Sequence, residues 1–155
     1  MDQKKLIQKG KKLFAERASL LDHTQELGRL ADLARSQMMQ ADSLLTAKSK
    51  YLEYVEENAS LHWQACKSQQ DFRSLSAANS RFQTEAEAYL RLDREYVESV
   101  ARYSSALVDW LEALDTLAEN TAAVFSNSNA VMNAKLQEYE TTLNLNEGIT
   151  PAFVN

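Results

Sequence analysis

The stretch YLRLDREYVESVARYSSALVDW, residues 89–110, sets the pattern for much of the chain. Its large aromatic residues follow one another at intervals of seven positions, and Phe82 and Leu117 extend the series at both ends. A seven-residue repeat is typical of α-helices that pack side by side along their length. The stretch therefore predicts a long helix that faces another helix through an aromatic row, which we define as Tyr89, Tyr96, Tyr103 and Trp110.

The same repeat continues through a second arm at about residues 81–124. Ser80 and Gln83 have the spacing of a capping box, which predicts that this helix begins there. Asp93 and Thr121 interrupt the repeat. The apolar positions that predict the packed face are Phe82, Ala86, Tyr89, Tyr96, Val100, Tyr103, Leu107, Trp110, Leu114, Leu117 and Val124.

A first arm, at about residues 3–70, carries a matching repeat. Leu6, Leu13 and Leu20 are in phase with it, Cys66 continues it, and Lys48 interrupts it. Its apolar positions are Leu27, Ala31, Ala34, Met38, Ala41, Leu45, Leu52, Val55 and Ala59. Two matching arms predict an antiparallel helical hairpin, centred near residue 75, with the serine-rich residues 71–80 as its turn.

Two segments contain residues that weaken helices. The sequence FSNSNA, residues 125–130, places four Ser/Asn side chains in succession, and these compete for backbone hydrogen bonds. A short last helix is expected after it, at about 129–144. Residues 146–155, with Gly148 and Pro151, read as a frayed tail, and residues 56–61 are a weaker break. We thus expect a single helical-bundle domain over residues 1–145.

A second row of apolar residues runs beside the packed face of the second arm. We define this second row as Leu90, Val97, Leu111 and Phe125. A two-stranded coil buries only two positions in seven, whereas a helix in a bundle buries three or more. The predicted fold is therefore all-α: a long antiparallel helical hairpin within an elongated, coiled-coil-like bundle of three to four helices. The additional helices come either from breaks in the arms or from a second copy of the chain.

Composition limits the possible functions. The 155 residues are 45% apolar and 25% charged, with three glycines, one proline and a net charge of −5. An acidic chain without a broad basic face is a poor ligand for nucleic acid, because phosphate contacts supply most of that affinity. The single cysteine, Cys66, and the absence of an apolar run of about 20 residues favour a cytoplasmic location.

No reaction is indicated by the side chains. His23 and His62 are the only histidines, and neither forms a Glu-x-x-His pair of the di-iron type. Gly10, Gly28 and Gly148 are isolated, so no phosphate-binding loop is present. We expect no catalytic residues, no cofactor and no metal site.

Two functional hypotheses remain. The first is a non-enzymatic adaptor, assembly subunit or chaperone-like protein that contacts a protein partner or a second copy through the aromatic and second rows. The alternative is an elongated dimer on an anionic membrane, because the first residues form a basic amphipathic helix. We favour pairing of these lysines with the acidic C-terminal part of the hairpin, because Leu6, Leu13 and Leu20 are in phase with the long seam. The membrane candidates are Lys4, Lys5, Lys9, Lys11, Lys12 and Phe14.

Overall fold

The computed structural model describes the backbone of residues 2–69 and 72–154 and the side chains of residues 2–67 and 72–145. In these ranges the chain forms two α-helices, α1 (Gln3–Gln69) and α2 (Phe72–Val154), and no strand. The prediction of an all-α helical hairpin is confirmed. The described residues hold two helices rather than the three to four of the predicted bundle, because neither helix breaks along its length.

Helix α1 begins at an aspartate cap that the sequence patterns did not reveal. Oδ1 of Asp2 accepts a hydrogen bond from the backbone N–H of Lys4 at 3.2 Å. The Asp2 carbonyl accepts further bonds from the N–H groups of Lys5 and Leu6. Aspartate is a favoured residue at this position because its carboxylate satisfies a donor that the helix leaves free.

The predicted turn at 71–80 is wrong for the residues that are described there. Helix α2 begins at Phe72, while residue 71 lies outside the described residues. Ser80 is inside the helix, where its carbonyl accepts a hydrogen bond from Oγ1 of Thr84 at 3.0 Å. The serine-rich segment is therefore helical. Hydroxyl side chains are tolerated in a helix because they can donate hydrogen bonds to backbone carbonyls of the preceding turn.

Both predicted weak segments are helical, so the short last helix is the continuation of α2. Asn127, in the FSNSNA segment, is buried on the face of α2 that meets α1, and its side chain is held there instead of capping the backbone. The backbone of residues 146–154 is also helical, where a frayed tail was predicted.

The contacts between the helices separate the chain into two units. Unit 1 comprises Met1–Leu27 and Asp109–Asn155, and unit 2 comprises Gly28–Val108. In each unit a segment of α1 runs antiparallel to a segment of α2. That residues 1–145 form one domain remains a prediction.

The packed face of α1 follows the predicted repeat within each unit. In unit 1, Leu6 is buried. In unit 2, Ala31, Val55, Ala59 and Cys66 are buried. Every other predicted position of α1 is half-buried. Among the described side chains of α1, only seam positions supply apolar core residues, so the alternating steps of three and four residues were a sufficient guide to its packed face.

The packed face of α2 differs from the prediction by one residue. The aromatic row and its extensions are half-buried, as expected for residues at a seam. The most deeply buried positions of α2 form a companion row, Ser99, Ala113 and Asn120. Ser99 and Ala113 directly precede the predicted Val100 and Leu114, and Asn120 precedes Thr121, where the predicted repeat is interrupted. Small and polar residues therefore face α1, and the apolar residues beside them are displaced toward the flank of α2.

The pairing register also differs from that of a hairpin centred near residue 75. In unit 2, Lys48 pairs with Glu85, and Arg81 donates a hydrogen bond to the hydroxyl of Tyr51. The predicted centre would have placed Lys48 opposite residue 102. The register is shifted because α2 starts at Phe72 and residues 72–80 already belong to a helix.

Candidate interaction surfaces

The aromatic row lies at the margin of the packed face. Tyr89, Tyr96 and Tyr103 in unit 2 and Trp110 in unit 1 are each half-buried. Among the described side chains, the buried polar atoms without a partner belong to two asparagines, and none is a tyrosine hydroxyl. The tyrosine rings therefore bury part of their apolar surface, and none of their hydroxyls is a buried group without a hydrogen-bond partner. This is the usual arrangement for tyrosine in a folded protein.

The second row is far more exposed than the aromatic row. Leu90 and Val97 in unit 2 are 60% and 57% exposed, and Leu111 and Phe125 in unit 1 are 50% and 67% exposed. The predicted interface residues therefore fall into two groups. The aromatic row serves the hairpin itself, whereas half or more of the surface of each side chain in the second row is left uncovered by the described residues of the chain.

Exposed apolar residues extend further along α2 than the sequence patterns indicated. In unit 1, Met132, Leu136, Tyr139 and Leu143 are each more than half exposed. They continue from Phe125 in steps of seven, four, three and four residues. The spacing was visible in the sequence, but the expectation of a break at residues 125–130 separated these residues from the second row.

An apolar groove lies between the helices of unit 1. It has a volume of about 380 Å³ and is lined chiefly by Ile7 and Phe14 of α1 and by Val131 and Met132 of α2. Gly10 is also at this groove, where a Cβ atom would lie 2.7 Å from Nδ2 of Asn127. The missing side chain of Gly10 is therefore what allows the asparagine to pack against α1.

A polar layer crosses the packed face of unit 1. Nδ2 of Asn120 donates a hydrogen bond to the carbonyl of Leu13 at 3.2 Å, and Arg17 donates to Oγ1 of Thr121 at 2.6 Å. The Oδ1 atoms of Asn120 and Asn127 are buried and have no partner. Polar residues in a helical seam fix the register of the helices and reduce their stability, because a buried acceptor without a partner loses its hydration.

Unit 2 has a polar layer of its own, formed by Lys48, Glu85, Tyr51 and Arg81. The Lys48 ammonium lies 5.3 Å from the centre of the Tyr51 ring and forms an ion pair with Glu85. The hydrogen bond to Tyr51, followed by the charge of that phenol, raises the pKa of Arg81 above its ordinary value. A raised pKa keeps this guanidinium charged throughout the neutral range, so it gives no pH dependence of stability there. Lys48 thus interrupts the sequence repeat but is a paired group in the fold.

The basic start of α1 is exposed to solvent. Lys4, Lys5, Lys9, Lys11 and Lys12 all lie on the surface. Phe14 is 58% exposed and Ile7 is 41% exposed, so these two residues are on the surface beside the lysines rather than in the seam. No helix in the described part of the chain is sufficiently long and apolar to pass through a bilayer.

The described side chains offer little reactive chemistry. Cys66 is buried and His62, one turn before it, is half-buried. A shallow depression in unit 1 brings His23 near Asp109 and Glu112. Among the residues described, no three His, Cys, Asp or Glu side chains are grouped closely enough to hold a metal ion.

No protein-family model, characterised protein or solved structure matches this chain. The exposed surfaces of the two helices are therefore the features that bear on its function.

Proposed function

We propose that this chain is a non-enzymatic protein–protein interaction module, either a helical adaptor, an assembly subunit or a chaperone-like protein. It acts in the cytoplasm through coiled-coil or helical-groove contacts with a protein partner or with a second copy of itself, and it does not act on nucleic acid. The observation that carries the proposal is the exposure of large apolar side chains in heptad phase, outside the packed face of either unit.

The exposed residues have the chemistry that helix-in-groove contacts use. Leu90 and Val97 are separated by seven residues on α2, so they lie on the same side of the helix. Single exposed apolar residues are ordinary on protein surfaces, whereas a repeated row is typical of a contact site. Amphipathic helices bind partners through such rows, with anchors separated by one or two turns.

The additional helices of the predicted bundle are then supplied by association. Both α1 and α2 are continuous, so folding of the arms onto themselves does not provide them. A second hairpin packed on the exposed row would give four helices around a shared core, which is a common arrangement for amphipathic helical hairpins.

Site-specific photo-crosslinking in the host cell tests this proposal. A photoreactive phenylalanine analogue replaces Leu90 or Val97, and matched controls carry it at Glu95 and Arg102, which are exposed on another side of α2 and have the same separation of seven residues. We expect defined protein adducts from the two apolar positions and few from the charged ones. Equal or absent adducts at all four positions would contradict an interaction surface on this row.

Membrane association is the second candidate, and the surface exposure of Phe14 and Ile7 beside lysines is the observation that favours it. Basic amphipathic helices bind anionic bilayers through apolar insertion and attraction to the headgroups. Flotation with vesicles containing anionic lipid tests it, with Phe14→Ser as the variant that removes the apolar anchor but keeps every lysine. The membrane hypothesis fails if the natural chain does not float, or if Phe14→Ser floats equally well.

A further inference from the structure

We infer that residues 118–143 of α2 form a second heptad seam, and that this seam pairs in parallel with the same seam of a second copy of the chain. The inference rests on the proposed function and specifies the partner, the segment and the orientation for unit 1. We call this segment the C-terminal seam, and it consists of Ala118, Ala122, Phe125, Asn129, Met132, Leu136, Tyr139 and Leu143.

The regularity of the C-terminal seam distinguishes it from scattered surface residues. Its members follow alternating steps of four and three residues throughout, and every one of them is exposed. All are apolar except Asn129, and the five large apolar side chains are between 53% and 67% exposed. A repeat that is sustained for nearly four heptads is the pattern of a helix packed along its length.

Helix α1 does not cover the seam as far as Met132, because the seam lies on another side of α2. Residues 135–145 are exposed on every side of the helix, so Leu136, Tyr139 and Leu143 belong to the seam by their spacing. At 100° per residue, the seam is centred about 130° around the helix from the rows that face α1, such as Leu117 and Asn120. α2 therefore carries two seams in unit 1. One is occupied by α1 as far as Ala134. The other lies on a different side of the helix, and its residue Met132 borders the groove that Ile7 and Phe14 also line.

The single polar member of the seam indicates which chain occupies it. The three-residue steps run from Ala122 to Phe125 and from Asn129 to Met132, which places Asn129 at position a of its heptad. One asparagine at an a position is a known determinant of register and of the two-stranded state, at a cost in stability. In a parallel pair of identical chains Asn129 faces its own copy, and each amide can donate to the oxygen of the other. An antiparallel pair centred on the same segment would instead set Asn129 against Met132, which offers the amide no comparable partner.

The charged residues beside the seam favour the same arrangement. Lys135 and Glu140 lie on opposite flanks, five residues apart, and both are exposed. In a parallel pair of helices, flanking residues with this separation meet across the interface, so two identical chains would form two Lys135–Glu140 ion pairs. The antiparallel pair brings residues of the same flank together, which would place Glu140 opposite Glu119 and Lys135 opposite Ser128.

The remaining flanks suit close approach of an identical surface. Between residues 120 and 139 the flanking positions other than Lys135 are uncharged, so two copies meet without like charges in opposition. These uncharged flanking residues are Thr121, Ser126, Ser128 and Asn133. Depletion of charge at the centre of a patch is a property of protein interfaces.

The available area is sufficient for a specific contact. An aromatic side chain has about 150–250 Å² to bury, so the exposed parts of Phe125 and Tyr139 come to roughly 100–150 Å² each. Ten large side chains from two copies then provide on the order of 1,000 Å², to which the alanines and flanks add. Specific interfaces begin at about this size.

Sedimentation velocity of the full chain over a wide range of concentrations provides the test. The natural chain should pass from monomer to dimer as its concentration rises. Met132→Glu should weaken the dimer by at least about 100-fold, because it places a charge in the centre of the seam. Gln137→Glu introduces the same charge at an exposed position outside the seam and should leave the dimer unchanged. Far-UV circular dichroism checks that each variant remains helical.

Substitution of the polar seam residue tests its role in the pairing. Asn129→Leu should strengthen association and should also produce species larger than a dimer, because the chain loses the residue that restricts it to two strands. Asn144→Leu makes the same change at an exposed position outside the seam, so it should sediment like the natural chain. Equal behaviour of the two variants would place Asn129 outside the interface.

Charge exchange tests the identity of the partner without disturbing the apolar residues. Lys135→Glu and Glu140→Lys should each weaken the dimer, and the double variant should restore it. Orientation is tested by Ala122→Cys under mild oxidation, since a parallel seam places this cysteine next to its own copy. Gln137→Cys, outside the seam, should remain unlinked.

Several further results would overturn the inference. These are a natural chain that stays monomeric at every concentration, a dimer that Met132→Glu leaves intact, failure of the double charge exchange to restore association, and failure of Ala122→Cys to cross-link. The proposed function has a separate readout, because the photo-crosslinking positions Leu90 and Val97 lie in unit 2. A monomer that still forms adducts there would refute the self-pairing but retain the interaction module.

Discussion

Replacement of Asn127 by leucine should stabilise the chain. Asn127 is only 7% exposed, and its Oδ1 atom is buried without a hydrogen-bond partner. A buried polar atom without a partner costs about 1–3 kcal/mol, because it has lost its hydration and gained nothing in return. Leucine has the same branching at Cγ and no polar atom, so Asn127→Leu removes this cost and adds apolar contact with α1.

The change in the free energy of unfolding has two contributions, the removal of the buried oxygen and the difference in helix propensity between leucine and asparagine. Leucine is a better helix former than asparagine by about 0.5 kcal/mol at any helical position. Asn79→Leu is the matched control, since Asn79 is on the same helix but exposed and lies outside the C-terminal seam. We expect the free energy of unfolding to rise by about 1–2 kcal/mol more for Asn127→Leu than for Asn79→Leu.

Urea unfolding followed by circular dichroism measures the difference, with all variants at the same low protein concentration. With a urea dependence of about 2 kcal/mol per molar, the unfolding midpoint of Asn127→Leu should lie roughly 0.5–1 M above that of the control. A midpoint at or below that of Asn79→Leu would refute the reasoning. It would mean that the amide of Asn127 is satisfied in solution or holds a register that leucine cannot hold.

Three further predictions use the same measurement. Gly10→Ala places a Cβ 2.7 Å from Nδ2 of Asn127, so it should destabilise the natural chain. In an Asn127→Ala background the clash is absent, so the better helix propensity of alanine should stabilise the chain by about 1 kcal/mol, and equal effects in both backgrounds would contradict this contact. Val55→Ala should lower the free energy of unfolding by about 1.5–3 kcal/mol because Val55 is fully buried, whereas Val97→Ala on the exposed second row should not lower it; similar losses would show that the burial pattern is wrong. Glu85→Gln removes the carboxylate of the polar layer of unit 2 and should cost about 1 kcal/mol at low ionic strength and less in high salt, so a cost that salt does not change would argue against an ion pair.

The aromatic row shows how much the sequence could predict. Tyr89, Tyr96, Tyr103 and Trp110 repeat every seven residues, and this period alone places them on the side of α2 that meets α1. The helical class followed from the same repeat and from the scarcity of glycine and proline. These features depend on local geometry, which an apolar pattern records directly.

The companion row of α2 could not be found in this way. A search for apolar periodicity selects Val100 and Leu114, but the helix buries Ser99 and Ala113 beside them. Serine, alanine and asparagine fill the seam because they allow the helices to approach and because hydrogen bonds satisfy part of their polarity. Such residues have the composition of a surface, so only the three-dimensional pairing shows that they are inside.

The distribution of residues on α2 in unit 1 connects these observations with the proposed association. The rows facing α1 include two buried asparagines, each with an unpaired oxygen, while Phe125 and Met132 are mostly exposed. A hairpin selected only for its own stability would be expected to have the reverse arrangement, since burying such large side chains is the main source of folding free energy. The apolar surface of α2 that does not contact α1 is available to a partner. Binding of that partner would stabilise the folded chain by mass action. The polar layer then holds the register of the hairpin, and the C-terminal seam adds stability when the second chain binds.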